Sequence, residues 1–328
     1  MRIVTLEDFK DIIIKFNQRG LPFLLSKLSF NSYKRTQSAF NDSELLSSNF
    51  WIIPEVRKRW NKMITNDENL MYEEYLSKNF FQGKTTLKLL SLGSGVCSHE
   101  IRLAEINPHW EIHCFDFSDE LLKSAKKISD AKSLKNIHYF AENVLNYNFE
   151  KEDYDVVFFH ASLHHFDKIH DFLKNVVNKT LKKDGHLIIN EFVGENRLQY
   201  SKKQIIAINK ALKTIPKKYR KIFKTNLYKS HYYGSGILRM IVADPSECVD
   251  SASILPAIYQ NYHPILEKDY GNNLLQSVFK DSAHHFVPKN NEILSAEKQE
   301  ILQRIFDLED EFILNNKSDM VFGIYQLK

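Results

Sequence analysis

Glycine is scarce in this sequence, with ten residues in 328, and proline is nearly as rare, with eight. Such a composition excludes a collagen-like repeat, a Gly/Ser linker chain and a Pro-rich disordered body. There are only three cysteines, Cys97, Cys114 and Cys248; they form no CxxC pair and leave an odd count. That argues against a disulfide framework or a cysteine zinc site and fits a reducing compartment. No His/Asp/Cys spacing predicts a metal site either. Long apolar runs are missing, and MRIVTLEDFKDIIIKF puts acids and lysines where a signal peptide needs an apolar centre. A cytoplasmic protein without a membrane-spanning helix is expected. What is present is enough for a core: 43% hydrophobic and 12% aromatic residues. The length suits one elaborated domain or two. Scarcity also makes each glycine informative, since something local must require it.

The net charge is only +4, but its distribution is uneven. Residues 201–230 hold ten Lys or Arg and no Asp or Glu; with the chain at +4 and this stretch at +10, the remainder carries −6. Ile205, Ile206, Ile208, Leu212 and Ile215 give the stretch an apolar side, so a lysine-coated solvated face is the simplest reading. The functional alternative is an electrostatic guide for an anionic acceptor. RNA would call for a recognisable module or a basic arm interleaved with aromatics, and neither is present. Nucleic acid is therefore not the expected partner.

Along the chain, residues 1–85 read as an N-terminal helical region. Phe9, Ile12, Ile13 and Phe16 recur at helical spacing, as do Trp60, Met63 and Ile64. From residue 86 to 194, short apolar runs alternate with amphipathic helices. Strands are predicted at Leu87–Leu92, Ile112–Phe115, Ile137–Phe140, Val156–Phe159 and His186–Phe192. The alternation predicts an α/β fold, a doubly wound and mostly parallel sheet with helices on both faces. Residues 195–261 read as a helical cap insertion, in which Asp244-Pro245-Ser246-Glu247 has the form of a helix start. Residues 262–328 complete the core with strands at His263–Lys268 and Met320–Gln326, for seven in all.

The most informative stretch is Leu89-Leu90-Ser91-Leu92-Gly93-Ser94-Gly95-Val96-Cys97-Ser98. An apolar strand runs into Gly-x-Gly and then a helix, the place where doubly wound folds bind ligands. Asp116, twenty-one residues past Gly95, ends the second strand, where a carboxylate can accept from both hydroxyls of a ribose. Phe117 beside it can pack on an adenine. No third glycine follows, so a nucleoside without a pyrophosphate is expected.

These residues resemble the class I S-adenosylmethionine-dependent methyltransferases over Leu87–Gly194, a Rossmann-like fold. The resemblance implies S-adenosylmethionine as cofactor. By it, Ser91, Gly93, Ser94 and Gly95 hold the methionine part and Asp116 and Phe117 the ribose and its neighbourhood. Asn143 and Val144 then lie beside adenine, and His160 ends the fourth strand. Tyr154–His160 is similar to the family's fourth strand, and Leu181–Leu187 to the turn before its fifth. Three positions depart from the family pattern: Ser91 stands for an acid, Cys97 for a glycine and Asn143 for an aspartate. Trp51–Pro54, Arg59–Asn61, Asn190–Arg197 and Asp244–Glu247 are similar to a bacterial subgroup with helical caps.

For the chemistry, His164 and His165 follow the fourth strand, and histidine titrates where a general base must. The same turn can instead simply shape the cofactor pocket. Glu191 ends the fifth strand and can bind an acceptor amine, orient a histidine or cap the next helix. His231 and Tyr232 follow the basic helix and can close over a substrate or pack. The function expected is methyl transfer to an oxygen or nitrogen of a small-molecule acceptor, possible acceptors including an anionic metabolite or a sugar. An RNA or protein methyltransferase using residues 201–230 is one alternative, and a non-catalytic nucleoside-binding regulatory module another.

Overall fold

A computed structural model describes residues 1–26, 48–288 and 292–328. The part of the expected N-terminal helical region on residues 27–47 lies outside the described residues. Contacts divide the chain into two compact units. A sheet unit comprises Asn61–Val193, Cys248–Asp269 and Val321–Lys328, and a cap unit Met1–Trp60, Gly194–Glu247 and Tyr270–Met320.

Seven strands lie in the order β3-β2-β1-β4-β5-β7-β6. They are β1 (Leu87–Leu92), β2 (Trp110–Asp116), β3 (Ile137–Ala141), β4 (Tyr154–His160), β5 (Leu181–Phe192), β6 (Tyr262–Gly271) and β7 (Met320–Leu327). The pairs β1–β2, β1–β4, β2–β3 and β4–β5 are parallel, so the sheet is mostly parallel, with helices on both faces. Residues such as Leu90, Val157 and Ile188 are fully buried, as expected of strands covered on both faces, which read as apolar runs rather than alternation. The chain order reverses about β1, whose neighbours are β2 and β4. A crevice at the carboxyl ends of such a pair is where this architecture takes ligands. β6 is an edge strand with Pro264 and alternating exposure, a form suited to an unpaired edge.

Two expectations from the sequence are corrected. Asp244 does not begin a helix; it follows the helix Ile237–Ala243, and its Oδ1 accepts from the amide and the hydroxyl of Ser246. The Asp-Pro signature marks an Asx turn after a helix, not a cap before one. The helix Ile254–Asn261, assigned from sequence to the cap insertion, packs within the sheet unit. Its Ile254, Ala257 and Ile258 are buried in the same core as Leu173, Val177 and Leu181, and this apolar face decides its place.

In the cap unit, Glu309 is fully buried on the helix Ala296–Ile313 and accepts from the amides of Asn273 and Leu274 at 2.9 and 2.8 Å. Burial pushes its carboxyl up from 4.5 to about 7, against those amides and Arg59. A raised carboxyl means that the native state binds more protons than the unfolded chain between about pH 4.5 and 7. Stability from this group therefore falls as pH rises through that window. The stability of Glu309→Gln relative to wild type is expected to rise from pH 5 to 8 by on the order of 2–3 kcal/mol, above a constant offset set by the glutamine amide facing one of the two backbone donors. Urea midpoints of both proteins at each pH would check this; a constant difference would refute it.

Candidate functional site

The site is built at the carboxyl end of β1. After Leu92 the chain turns through Gly93 at φ 73° and Gly95 at φ 52°, both in the left-handed region that favours glycine. A Cβ on Gly93 would lie 2.8 Å from the Cβ of Ser162, so the turn and the loop after β4 are in close contact there. Ser162 Oγ also donates to the Leu92 carbonyl at 2.8 Å. A Cβ on Gly95 would meet nothing within 4 Å; the space beside this backbone is open to a ligand. Cys97 takes the left-handed conformation itself, at φ 53°, before the helix Ser98–Ile106. The position where the family has its third glycine thus keeps a glycine-like backbone with a buried thiol in place of hydrogen.

Asp116, at the end of β2, is buried. Its Oδ2 accepts from the Gly95 amide at 2.9 Å and its Oδ1 from the Ser118 amide at 2.8 Å. Burial holds its carboxyl above the ordinary range, opposed by those amides and that of Phe117. Each carboxylate oxygen has further acceptor capacity, so the group can orient the glycine turn and still take hydroxyl donors. Ser94 Oγ donates to the Phe115 carbonyl at 3.1 Å, tying the same turn to β2. Phe117 is half-buried and Val144 buried, while Asn143 is exposed. Asn143 Oδ1 accepts from the Leu145 amide at 3.0 Å in a local turn.

Ser91 is buried, and its hydroxyl donates to Glu100 Oε1 at 2.6 Å. A buried carboxylate from the following helix, nine residues on, thus lies against the end of β1. Burial is the largest influence on Glu100 and raises its carboxyl, against His99 and Ser91. A second wholly buried acid, Glu73, takes the proton-bearing Nδ1 of His99 on Oε1 at 2.6 Å. Its Oε2 has no partner among the described residues. Tyr72 stacks on His99 and His160, and its hydroxyl lies 2.9 Å from His160 Nδ1. Burial, then His99 and His164, push His160 well below the usual imidazole range, so it is neutral near pH 7. Glu73, Tyr72, His99 and Glu100 were missed from the sequence. Acids in amphipathic helical segments carry no signal of their own, and only the fold joins residues 72–73 to 99–100 and 160.

The loop after β4 holds His164 and His165. Glu191, at the end of β5, is fully buried and gathers this loop. Its Oε1 accepts from the amides of Ser162 and Leu163 at 2.5 and 2.6 Å, and its Oε2 lies 2.7 Å from His164 Nδ1. The carboxylate therefore both caps the short helix Leu163–His165 and fixes the His164 ring. In the neutral ring this places the proton on Nδ1 and makes Nε2 the basic nitrogen. The helix that Glu191 caps precedes it in the chain.

His231 and Tyr232 belong to the cap unit and line a cavity of about 260 Å³ together with Ile13, Ile14 and Tyr228. Tyr232 is buried, which raises its hydroxyl, and its backbone pairs with the Asn209 side chain. No metal set was expected from spacing. The fold nonetheless sets His113 of β2 against His138 of β3, and with Glu111 their donor atoms lie within 4.8 Å of one another. His113 is engaged there by Glu111 and Tyr154.

The open space at Gly95, the buried Asp116 and the unpartnered oxygen of Glu73 fit a nucleoside bearing a cationic amino-acid end. A family model described as a methyltransferase domain matches residues 84–270. No curated protein matches the chain. Among solved structures, a SAM-dependent methyltransferase from Aquifex aeolicus shares 17% identity over 35% of this chain and 61% of its own, with a TM-score of 0.31. Geranyl diphosphate C-methyltransferase from Streptomyces coelicolor A3(2), solved with S-adenosyl-L-homocysteine, shares 11% over 78% of each chain, with a TM-score of 0.42. A protein from Pyrococcus horikoshii OT3 shares 14% over 82% and 96%, with a TM-score of 0.41. With the family model covering more than half of its length, the chain belongs to the methyltransferase domain family.

Proposed function

We propose that the acceptor is a small molecule methylated at oxygen or nitrogen, with His164 as the general base and Glu191 as its positioning residue. The observation that carries this reading is the His164–Glu191 pair at 2.7 Å, on a loop in contact with the glycine turn. Bound S-adenosylmethionine supplies a methyl group on a sulfonium, open to in-line displacement. Gly93, Ser94 and Gly95 would line its path, Asp116 would accept from its ribose hydroxyls, and Phe117, Asn143 and Val144 would flank its adenine. Ser91 with Glu100, and Glu73 beyond His99, would face the ammonium of its amino-acid end, with His160 among them. The chain then aligns the acceptor and excludes water, and Nε2 of His164 removes the acceptor proton. His165, next in the loop, is the second candidate for that proton.

The test is transfer of labelled methyl to extract fractions. Label is expected in small metabolites, and His164→Asn is expected to lose about 10²–10⁴-fold in rate while keeping S-adenosylhomocysteine affinity. Label confined to RNA or protein would overturn the small-molecule reading. An unchanged rate in His164→Asn would move the base elsewhere.

A further inference from the structure

The helix Leu6–Ser26 is turned inside out. Its acids Glu7, Asp8 and Asp11 are buried, whereas Phe9, Ile12, Ile13 and Phe16 are 45–58% exposed. The inversion is held by charge. Asp8 Oδ1 takes Arg239 Nε at 3.0 Å and the Gly236 amide at 2.9 Å. Asp11 Oδ2 takes Lys280 Nζ at 2.8 Å and Arg239 Nη1 at 3.2 Å. Glu7 Oε2 accepts from the Tyr233 amide at 3.0 Å. Rotating the helix to bury its apolar side would draw Asp8 and Asp11 away from Arg239 and Lys280 and leave those partly buried cations without their partners, so the apolar face is presented outward by construction.

The surface around it is apolar and cationic. Gln18 Nε2 donates to the Phe223 carbonyl at 3.0 Å, and Ile13 lines one cavity with Leu227 and Tyr228, which are 43% and 46% exposed. Leu238, 53% exposed, is bonded through its amide to the carbonyl of Ile3, itself 63% exposed. Lys217 lies over the Tyr228 ring, Lys224 over that of Phe223 and Lys10 over that of Tyr233. Residues 196–243 contain no Asp or Glu, and residues 1–20 contain only the three acids already buried. Lys210 and Lys218 are instead paired with Glu311 and Glu297 of the helix Ala296–Ile313.

We propose that this face of the cap unit docks on an anionic lipid bilayer, its aromatic and aliphatic side chains entering the headgroup boundary between lysines. Exposed apolar residues on an amphipathic helix bordered by cations are the physical requirements for such binding. An isologous contact with a second copy would set the same lysine border against itself, which is why the bilayer is the occupant chosen. Among the described residues no helix is long and apolar enough to cross a membrane, so the association is peripheral.

The test is sedimentation of the full chain with phosphatidylcholine vesicles, with and without about 30% phosphatidylserine. Wild type is expected to pellet with the anionic vesicles and to be released by about 0.5 M salt. Phe9→Asp with Ile13→Asp, and separately Lys217→Glu with Lys224→Glu, should weaken binding at least about tenfold. Both double variants should bind S-adenosylhomocysteine as wild type does, which separates lost docking from lost fold. Absence of vesicle binding by wild type would overturn the proposal, as would binding that survives Phe9→Asp with Ile13→Asp. So would a lipid-free dimer that this variant converts to monomer, since the occupant would then be a second copy.

Discussion

Asp116→Ala is expected to weaken S-adenosylhomocysteine binding by about 10²–10⁴-fold, measured by calorimetry. Two hydroxyl donors to one buried carboxylate are charge-assisted bonds of about 1.5–3 kcal/mol each. The carboxylate also holds the amides of Gly95 and Ser118, so alanine loosens the turn as well as removing the acceptor. Asp116→Asn keeps the shape and one strong acceptor and should fall between alanine and wild type. Because burial holds Asp116 above the ordinary aspartate range, wild-type affinity should decline on acidification at a higher pH than an exposed aspartate would give. Wild-type affinity in Asp116→Ala would mean that the ribose is held elsewhere.

Glu191 should separate stability from chemistry. Glu191→Ala leaves two buried amides and an imidazole without their acceptor, and about 3–5 kcal/mol of stability should be lost. Glu191→Gln is more telling. Its carbonyl oxygen can still accept from the amides of Ser162 and Leu163, but its amide then points at His164 Nδ1. The ring must carry its proton on Nε2 instead, the tautomer that cannot act as base there. Urea midpoints should fall by only about 1–2 kcal/mol, with cofactor-product affinity retained, while kcat drops about 10²–10⁴-fold. Undiminished kcat in Glu191→Gln would reduce the pair to scaffolding.

The fold was legible because its signals are local. Apolar runs of strand length alternate with amphipathic segments, and β1 has the expected bounds, Leu87–Leu92. The glycine turn was legible for the same reason, since left-handed backbone at Gly93 and Gly95 restricts residue type whatever surrounds it. Asp244-Pro245 misled because the same residues serve a turn after a helix as well as a cap before one. The helix Ile254–Asn261 was misassigned because an apolar stripe does not say which core it joins.

The site divides along the same line. Sequence by itself determined the sheet, the turn after β1 and the acid at Asp116, each fixed by neighbours within a few residues or by the period of an element. Tertiary structure alone decided that Glu100 pairs with Ser91, that Glu73 is joined to His160 through His99 and Tyr72, and that Glu191 pairs with His164. It alone turned Glu7, Asp8 and Asp11 of the helix Leu6–Ser26 inward and Phe9 and Phe16 outward. Burial and charge pairing are sums over residues distant in the chain, and a buried carboxylate takes its role from whichever donors the fold brings to it.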